Sequence, residues 1–193
     1  MAEYFISDTH FNHENIIKYC NRPFVDVKEM NETLIKNWNA NIKEEDTVYV
    51  LGDFICGPAD TIPAILPRLN GHIVLVRGNH DTTTKLNIYK ELYKDKVEVK
   101  DILYLKHGGL WFVCCHFPIT DEAFFKMVTE DNSEVVMVHG HVHEKAPFAD
   151  EERNIFNVSA DATNFMPVPI DWIYSIIKAK YIRTGVWRDH TEN

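Results

Sequence analysis

The stretch VVMVHGHVHEK, residues 135–145, places His139, His141 and His143 at every second position behind an apolar run. In extended backbone, alternate side chains point to the same side of the strand. The valines and the methionine read as a buried strand, and the histidines as the polar edge where it stops. One histidine in such a place is ordinary. Three within five residues point towards metal, because neutral imidazole is the commonest metal-binding side chain. Such a site needs partners elsewhere in the chain.

Similar stops recur. EYFIS (3–7) runs into DTHFNHEN, DTVYVLGD (46–53) ends at Gly52 and Asp53, and HIVLVRGNHD (72–81) ends in Gly78, Asn79, His80 and Asp81. VEVKDILYLKHGGLWFVCCHFP (97–118) reads as a hairpin turning at Gly108 and Gly109 and stopping at His116. Between these strands, HENIIKYC (13–20) reads as a short helix. VKEMNETLIKNWNANI (27–42) carries Met30, Leu34 and Trp38 at helical spacing and predicts an amphipathic helix. DTIPAILPRLNG (60–71) predicts a shorter helix broken by Pro63 and Pro67. TTKLNIYKELY (83–93), DEAFFKMV (121–128) and DWIYSIIKAKYI (171–182) read as helices, NIFNVSA (154–160) as a strand, and KAPFADEERN (145–154) as a long polar loop. Strand–helix alternation in the first half and strands in the second predict an α/β fold with a second sheet packed on the first. One domain over residues 1–184 and a polar tail over 185–193 are expected.

Of the 193 residues, 45% are hydrophobic and 25% charged, enough for a substantial core at ordinary surface polarity. The net charge of -9 argues against a general electrostatic grip on nucleic acid. Bound metal can still reverse the local field for a phosphate. Cys20, Cys56, Cys114 and Cys115 form no CxxC pair, so reduced, buried thiols are expected. No segment approaches the ~18 consecutive apolar residues of a membrane span. The opening MAEYFISD has no basic region followed by an apolar core. The reading is a soluble, cytoplasmic protein without a membrane partner.

In α/β folds, ligands bind beyond the carboxyl ends of strands. Side by side, the five polar stops would assemble two aspartates, an asparagine and four histidines, with His80 as an extra imidazole. Their order, DTH, GD, GNHD, CCHFP and GHVH, resembles the D-x-H, G-D, G-N-H-D/E, H and G-H-x-H pattern of the calcineurin-like metallophosphoesterase superfamily. The resemblance implies a two-sheet α/β/β/α sandwich with mixed sheets. It implies a dinuclear centre in which one metal takes Asp8, His10, Asp53 and His143. The other takes Asp53, Asn79, His116 and His141, and Asp53 bridges the two. The implied chemistry is in-line attack of a metal-bridging hydroxide on a phosphate ester. His80 then supplies the leaving oxygen with a proton or stabilises its charge. His139 falls outside the ligand pattern and reads as structural. Nitrogen and oxygen ligands without thiolate suit Mn, Fe, Ni, Co or Zn more than Mg or Ca.

One departure narrows the reading. In GDFICG, Cys56 and Gly57 stand where the protein-phosphatase branch carries an aspartate and a phosphate-gripping arginine. This argues against a protein phosphatase and leaves the residue that orients His80 undefined. FNHENIIKYCNRPF (11–24) resembles the same stretch of small bacterial and phage-type phosphoesterases. From that stretch Asn12, His13 and Arg22 could face the pocket. The competing roles are a helix cap for Asn12 and a solvated surface charge for Arg22. Phe124, Phe125, Trp111 and Phe112 read as core. The favoured activity is hydrolysis of a small phosphodiester or nucleotide-like phosphate. Nucleic acid enters only as a possible substrate. The alternatives are a nuclease of the same superfamily, or a non-catalytic scaffold that kept the fold, as one retromer subunit does.

Overall fold

The computed structural model describes residues 1–119 and 135–185. The helix expected over 121–128, with Phe124 and Phe125, lies outside the described residues, as does nearly all of the expected tail.

The elements are β1 (Glu3–Ile6), α1 (Glu14–Tyr19), α2 (Val27–Asn41), β2 (Thr47–Val50), α3 (Ile62–Ile65), β3 (His72–Val76), α4 (Thr83–Leu92), β4 (Val97–Lys100), β5 (Leu103–His107), β6 (Leu110–Cys115), β7 (Val135–His139), β8 (Ala149–Asp150), β9 (Ile155–Asn157), β10 (Val168–Pro169) and α5 (Ile170–Thr184). They build two mixed five-stranded sheets, in the orders β10-β1-β2-β3-β4 and β5-β6-β7-β9-β8. Four strands of the first sheet run parallel, with β10 antiparallel at the edge. In the second, β6, β7 and β9 are parallel, flanked by antiparallel β5 and β8.

The alternation of side chains along each strand sorts the core into layers. Ile6, Val48, Val50, Ile73 and Leu75 face a cluster with Met30, Leu34 and Trp38 of α2, Ile62 and Ile65 of α3, and Leu86 and Tyr89 of α4. Their neighbours Phe5, Tyr49, Leu51, Val74 and Val76 face Phe112, Cys114, Val136, Val138 and Phe156 of the second sheet, with Ile173 and Ile177 of α5. Asp26 caps α2 by accepting the Glu29 amide hydrogen at 2.8 Å. Pro63 sits in the first turn of α3, where a missing N–H costs nothing, and short 3-10 turns flank that helix.

Three local expectations are corrected. Residues 97–118 divide between the sheets: β4 pairs with β3, and only β5 and β6 form the hairpin. The loop after the histidines contains β8, paired with β9. The extended backbone at 135–145 ends at His139. His141 and His143 have φ of 70° and 51°, and a 3-10 turn starts at His143. Turns, not strand alternation, therefore aim those two rings.

Register brings the strand ends together. Ile6 pairs with Val50, and Val50 with Leu75, so Asp8, Gly52 and Gly78 follow on one rim. Cys115 pairs with His139, and His139 with Asn157, which places His116, Gly140 and Val158 on the rim of the second sheet. A parallel bridge between Ser7 and Ser159 joins the two rims.

Candidate metal centre

Five of the seven expected ligands sit in left-handed backbone: Asp8 (φ 53°), His10 (51°), Asp53 (53°), His141 (70°) and His143 (51°). For residues with a Cβ this conformation costs on the order of 1–3 kcal/mol each, and such outliers cluster at functional sites. The surroundings over-determine it. The Asp8 amide donates to the Gly52 carbonyl and the His10 amide to the Asp53 carbonyl, both at 3.0 Å. The Asp81 carboxylate accepts the amide hydrogens of Asp53 (2.8 Å) and Gly78 (2.9 Å), which fixes the Gly52–Asp53 turn against β3. A Cβ on Gly140 would strike the Ser7 hydroxyl and the Asp8 carboxylate, so only glycine lets the two sheets approach this closely.

The side chains converge as acceptors. Asp8 is fully buried; its Oδ2 accepts from the His141 amide (2.8 Å) and the Ser159 hydroxyl (2.9 Å), while its Oδ1 has no hydrogen-bond partner. His10 Nε2 is likewise buried without a partner, 3.6 Å from Asp53 Oδ2 and 4.0 Å from Asp8 Oδ1. His143 Nε2 lies 3.7 Å from Asp8 Oδ1. His116 Nδ1 lies 2.9 Å from the Leu51 carbonyl. Its Nε2 lies 3.6 Å from Asp53 Oδ2 and 2.8 Å from Asn79 Oδ1. His141 is exposed, its Nδ1 3.1 Å from Asn79 Oδ1. Asp8, His10 and His143 form one group, and Asp8, Asp53 and His116 another; within each, all the ligand atoms lie within 4.8 Å of one another. Lone pairs without donors between them fit cations, and these nitrogen and oxygen donors fit divalent ones.

Electrostatics agree. Burial holds the Asp53 carboxyl above its ordinary range, with Asp8 and Asp81 adding to the effect and His116 opposing it. Burial, then the Arg22 charge and three neighbouring imidazoles, pushes His10 far below its ordinary value, so its ring is neutral. His13, His139 and His141 are also lowered, burial leading in each. Burial acts to lower His143 too, but the Asp161 hydrogen bond and the Asp8 charge outweigh it and the value is raised. Two further clusters add thiols: His10, His13 and Cys56; and Cys20, His143, Glu144 and Asp161. Burial pushes Cys20 up to about 12 and raises Cys56, so neither supplies a thiolate at neutral pH.

His80 is exposed at the rim, its ring 5.4 Å from that of His10 and 5.9 Å from that of His13. Its amide donates to Asp53 Oδ1 at 2.8 Å, and its ring has no hydrogen-bond partner among the described residues. His13 lies beside the cluster, Nδ1 to Nδ1 with His10 at 3.1 Å. Asn12 does not cap α1; it pairs with Asn31 through its own amide and its side-chain oxygen. Arg22 is neither a surface charge nor turned to solvent. Its buried guanidinium binds Asp161 and the carbonyls of Asp8 and Thr9. His139 is buried with Nδ1 on the Gly140 carbonyl at 2.8 Å.

Asp161 escaped the sequence reading. It stands 18 residues beyond His143, with no local pattern to mark it. Phe117 escaped too. It is 50% exposed, with its ring 4.5 Å from that of His141. Its one signal was its place directly after His116.

The model of the calcineurin-like phosphoesterase superfamily domain matches residues 1–160. An uncharacterized protein of Methanocaldococcus jannaschii is 40% identical over 188 residues, 94% of either chain. The Gene 66 protein of Mycobacterium phage L5 is 26% identical over 204 aligned positions, covering 95% of this chain and 97% of its own. A crystal structure of a protein of unknown function from Aquifex aeolicus superposes with a TM-score of 0.71 at 29% identity, covering 91% of this chain and 99% of that one.

Proposed function

The chain belongs to the calcineurin-like phosphoesterase superfamily, and we propose that it is a cytoplasmic two-metal phosphodiesterase, a single domain over residues 1–184. The observation that carries this reading is the convergence of acceptors without donors: buried Asp8 Oδ1 and His10 Nε2 stand unpartnered around Asp53 Oδ2. Asp8, His10, Asp53 and His143 would hold one ion, and Asp53, Asn79, His116 and His141 the other. Bound there, two ions of Mn, Fe, Ni, Co or Zn would supply an activated water and neutralise charge on the phosphoryl oxygens.

The remaining work falls to this chain's own residues. Asp53 Oδ1 accepts the His80 amide hydrogen at 2.8 Å, so the carboxylate that would be shared by the two ions also holds the backbone of the proposed acid. The His80 ring, exposed and without a hydrogen-bond partner among the described residues, would donate a proton to a leaving oxygen. Arg22 faces inward and does not grip phosphate, which favours the single negative charge of a diester over a monoester dianion. Phe117 against His141, and exposed Tyr19 with its ring 6.3 Å from that of His13, offer flat apolar faces to an aryl or nucleobase substituent.

Steady-state kinetics of the Mn-loaded protein on bis-p-nitrophenyl phosphate and on p-nitrophenyl phosphate test the proposal. A higher kcat/KM on the diester is expected. A tenfold preference for the monoester, or a phosphopeptide that outperforms every diester, would return the protein to the phosphatase branch.

A further inference from the structure

We propose that Arg22 and Asp161 form a positioning unit that fixes the Nδ1–H tautomer of His143 and, resting on the two-metal reading, makes the site of Asp8, His10 and His143 the tighter of the two. His143 Nδ1 lies 2.6 Å from Asp161 Oδ2. A carboxylate only accepts, so Nδ1 carries the proton and Nε2 turns its lone pair towards Asp8 Oδ1, 3.7 Å away. The Asp161 side chain is 4% exposed, and the Arg22 guanidinium holds both of its oxygens, Nε to Oδ1 at 2.9 Å and Nη2 to Oδ2 at 2.8 Å.

The rest of that guanidinium is committed as well. Nη2 donates to the Asp8 carbonyl at 2.7 Å, and Nη1 to the Thr9 carbonyl at 2.9 Å and the Met30 sulfur at 3.4 Å. The Phe165 ring lies 5.5 Å from it. All five N–H groups are engaged, which only the planar fork of an arginine can do. One side chain thus clamps the left-handed turn carrying Asp8 and His10 to the segment after β9 that carries Asp161. Through Asp161 it reaches His143.

The two halves of the centre are unequal for this reason. His143 leans on a carboxylate, whereas His116 leans on the neutral Leu51 carbonyl at 2.9 Å. A carboxylate behind the ring raises the basicity of the opposite nitrogen, and losing such a partner costs about 10–100-fold in metal affinity.

The test uses the full chain, stripped of metal and titrated with Mn(II) alone by calorimetry. Wild type should show two classes of site. Asp161→Asn should weaken the tighter class by about 10–100-fold and leave the weaker unchanged. Arg22→Lys should act in the same direction. Long-range 1H–15N spectra of the metal-free wild type should show His143 protonated at Nδ1, a readout that needs no variant to fold. An Nε2–H tautomer, or two sites of wild-type affinity in folded Asp161→Asn, would overturn the proposal. A wild type that binds no pair of Mn ions would instead sink the two-metal reading, while the tautomer would still judge the positioning unit.

Discussion

Asp53→Asn should stabilise the protein without metal and weaken its response to metal. Asp53 is 2% exposed. Its Oδ2 faces His10 Nε2 and His116 Nε2, both at 3.6 Å, too far for a hydrogen bond. Burial foremost raises its pKa. An acid raised by folding binds more protons folded than unfolded, so above that folded value its ionisation subtracts from stability. Asparagine keeps Oδ1 as acceptor for the His80 amide and turns its N–H groups towards the two imidazole nitrogens. Relieving the unsatisfied arrangement should be worth about 1–3 kcal/mol. For a domain of this size that is roughly 2–10 °C in Tm. With Mn at about 100-fold over each Kd, wild type gains about 2.7 kcal/mol per ion, roughly 5 in all. The variant, lacking an anionic bridge, should gain less than half of that. Calorimetry at pH 7.5 in EDTA and then in Mn reads both effects, and the order of the two melting temperatures should reverse. A variant that melts below wild type in EDTA, or shows the full Mn shift, would refute the reasoning.

His80→Ala should keep the full Mn-induced rise in Tm while kcat falls about 10²–10⁴-fold on diesters with unactivated leaving groups; a lost Mn shift would make His80 a ligand instead. Without metal, stability should fall below about pH 6.5, the unfolded histidine value. His10, His13, His139 and His141 all have lowered folded values, so their stabilisation is present above that pH and is lost as protons bind the unfolded chain. Buried His10 alone should contribute a slope approaching 1.4 kcal/mol per pH unit. His143, with its raised value, opposes this, its contribution present below pH 6.5 and lost as pH rises through its folded pKa. Urea titrations in EDTA from pH 5 to 8 check the sum, and a flat profile would contradict it. Phe117→Ala should lower kcat/KM for bis-aryl diesters about fivefold or more and spare dialkyl ones, since stacking contributes about 1–3 kcal/mol per ring; equal losses would remove Phe117 from substrate recognition.

What was legible in the sequence was whatever the strands punctuate. Val48, Val50, Ile73, Leu75, Val136 and Val138 announce buried strands, and Asp8, Asp53, Asn79, His116 and His141 mark where they stop. The central strands of both sheets follow from that pattern, whereas the two-residue edge strands β8 and β10 and the division of 97–118 between the sheets do not. Backbone geometry beyond the stops was not legible. The spacing of His139, His141 and His143 looks extended, but φ of 70° and 51° shows that His141 and His143 are set by turns. Long-range partners were hidden for a different reason. Arg22 and Asp161 are 139 residues apart, and nothing local distinguishes an arginine bound for the interior from one in solvent. Asp81 stood in plain view within GNHD, yet its acceptance of the Asp53 and Gly78 amides depends on the packing of β2 against β3.

The central claim, a centre of two metals bridged by Asp53, is tested most directly by anomalous diffraction from crystals of the protein equilibrated with Mn(II). The account predicts two anomalous peaks about 3.5–4 Å apart, one against Asp8, His10 and His143, the other against Asn79, His116 and His141, with the Asp53 carboxylate touching both. A single peak, or two peaks that leave Asp53 uncoordinated, would contradict it.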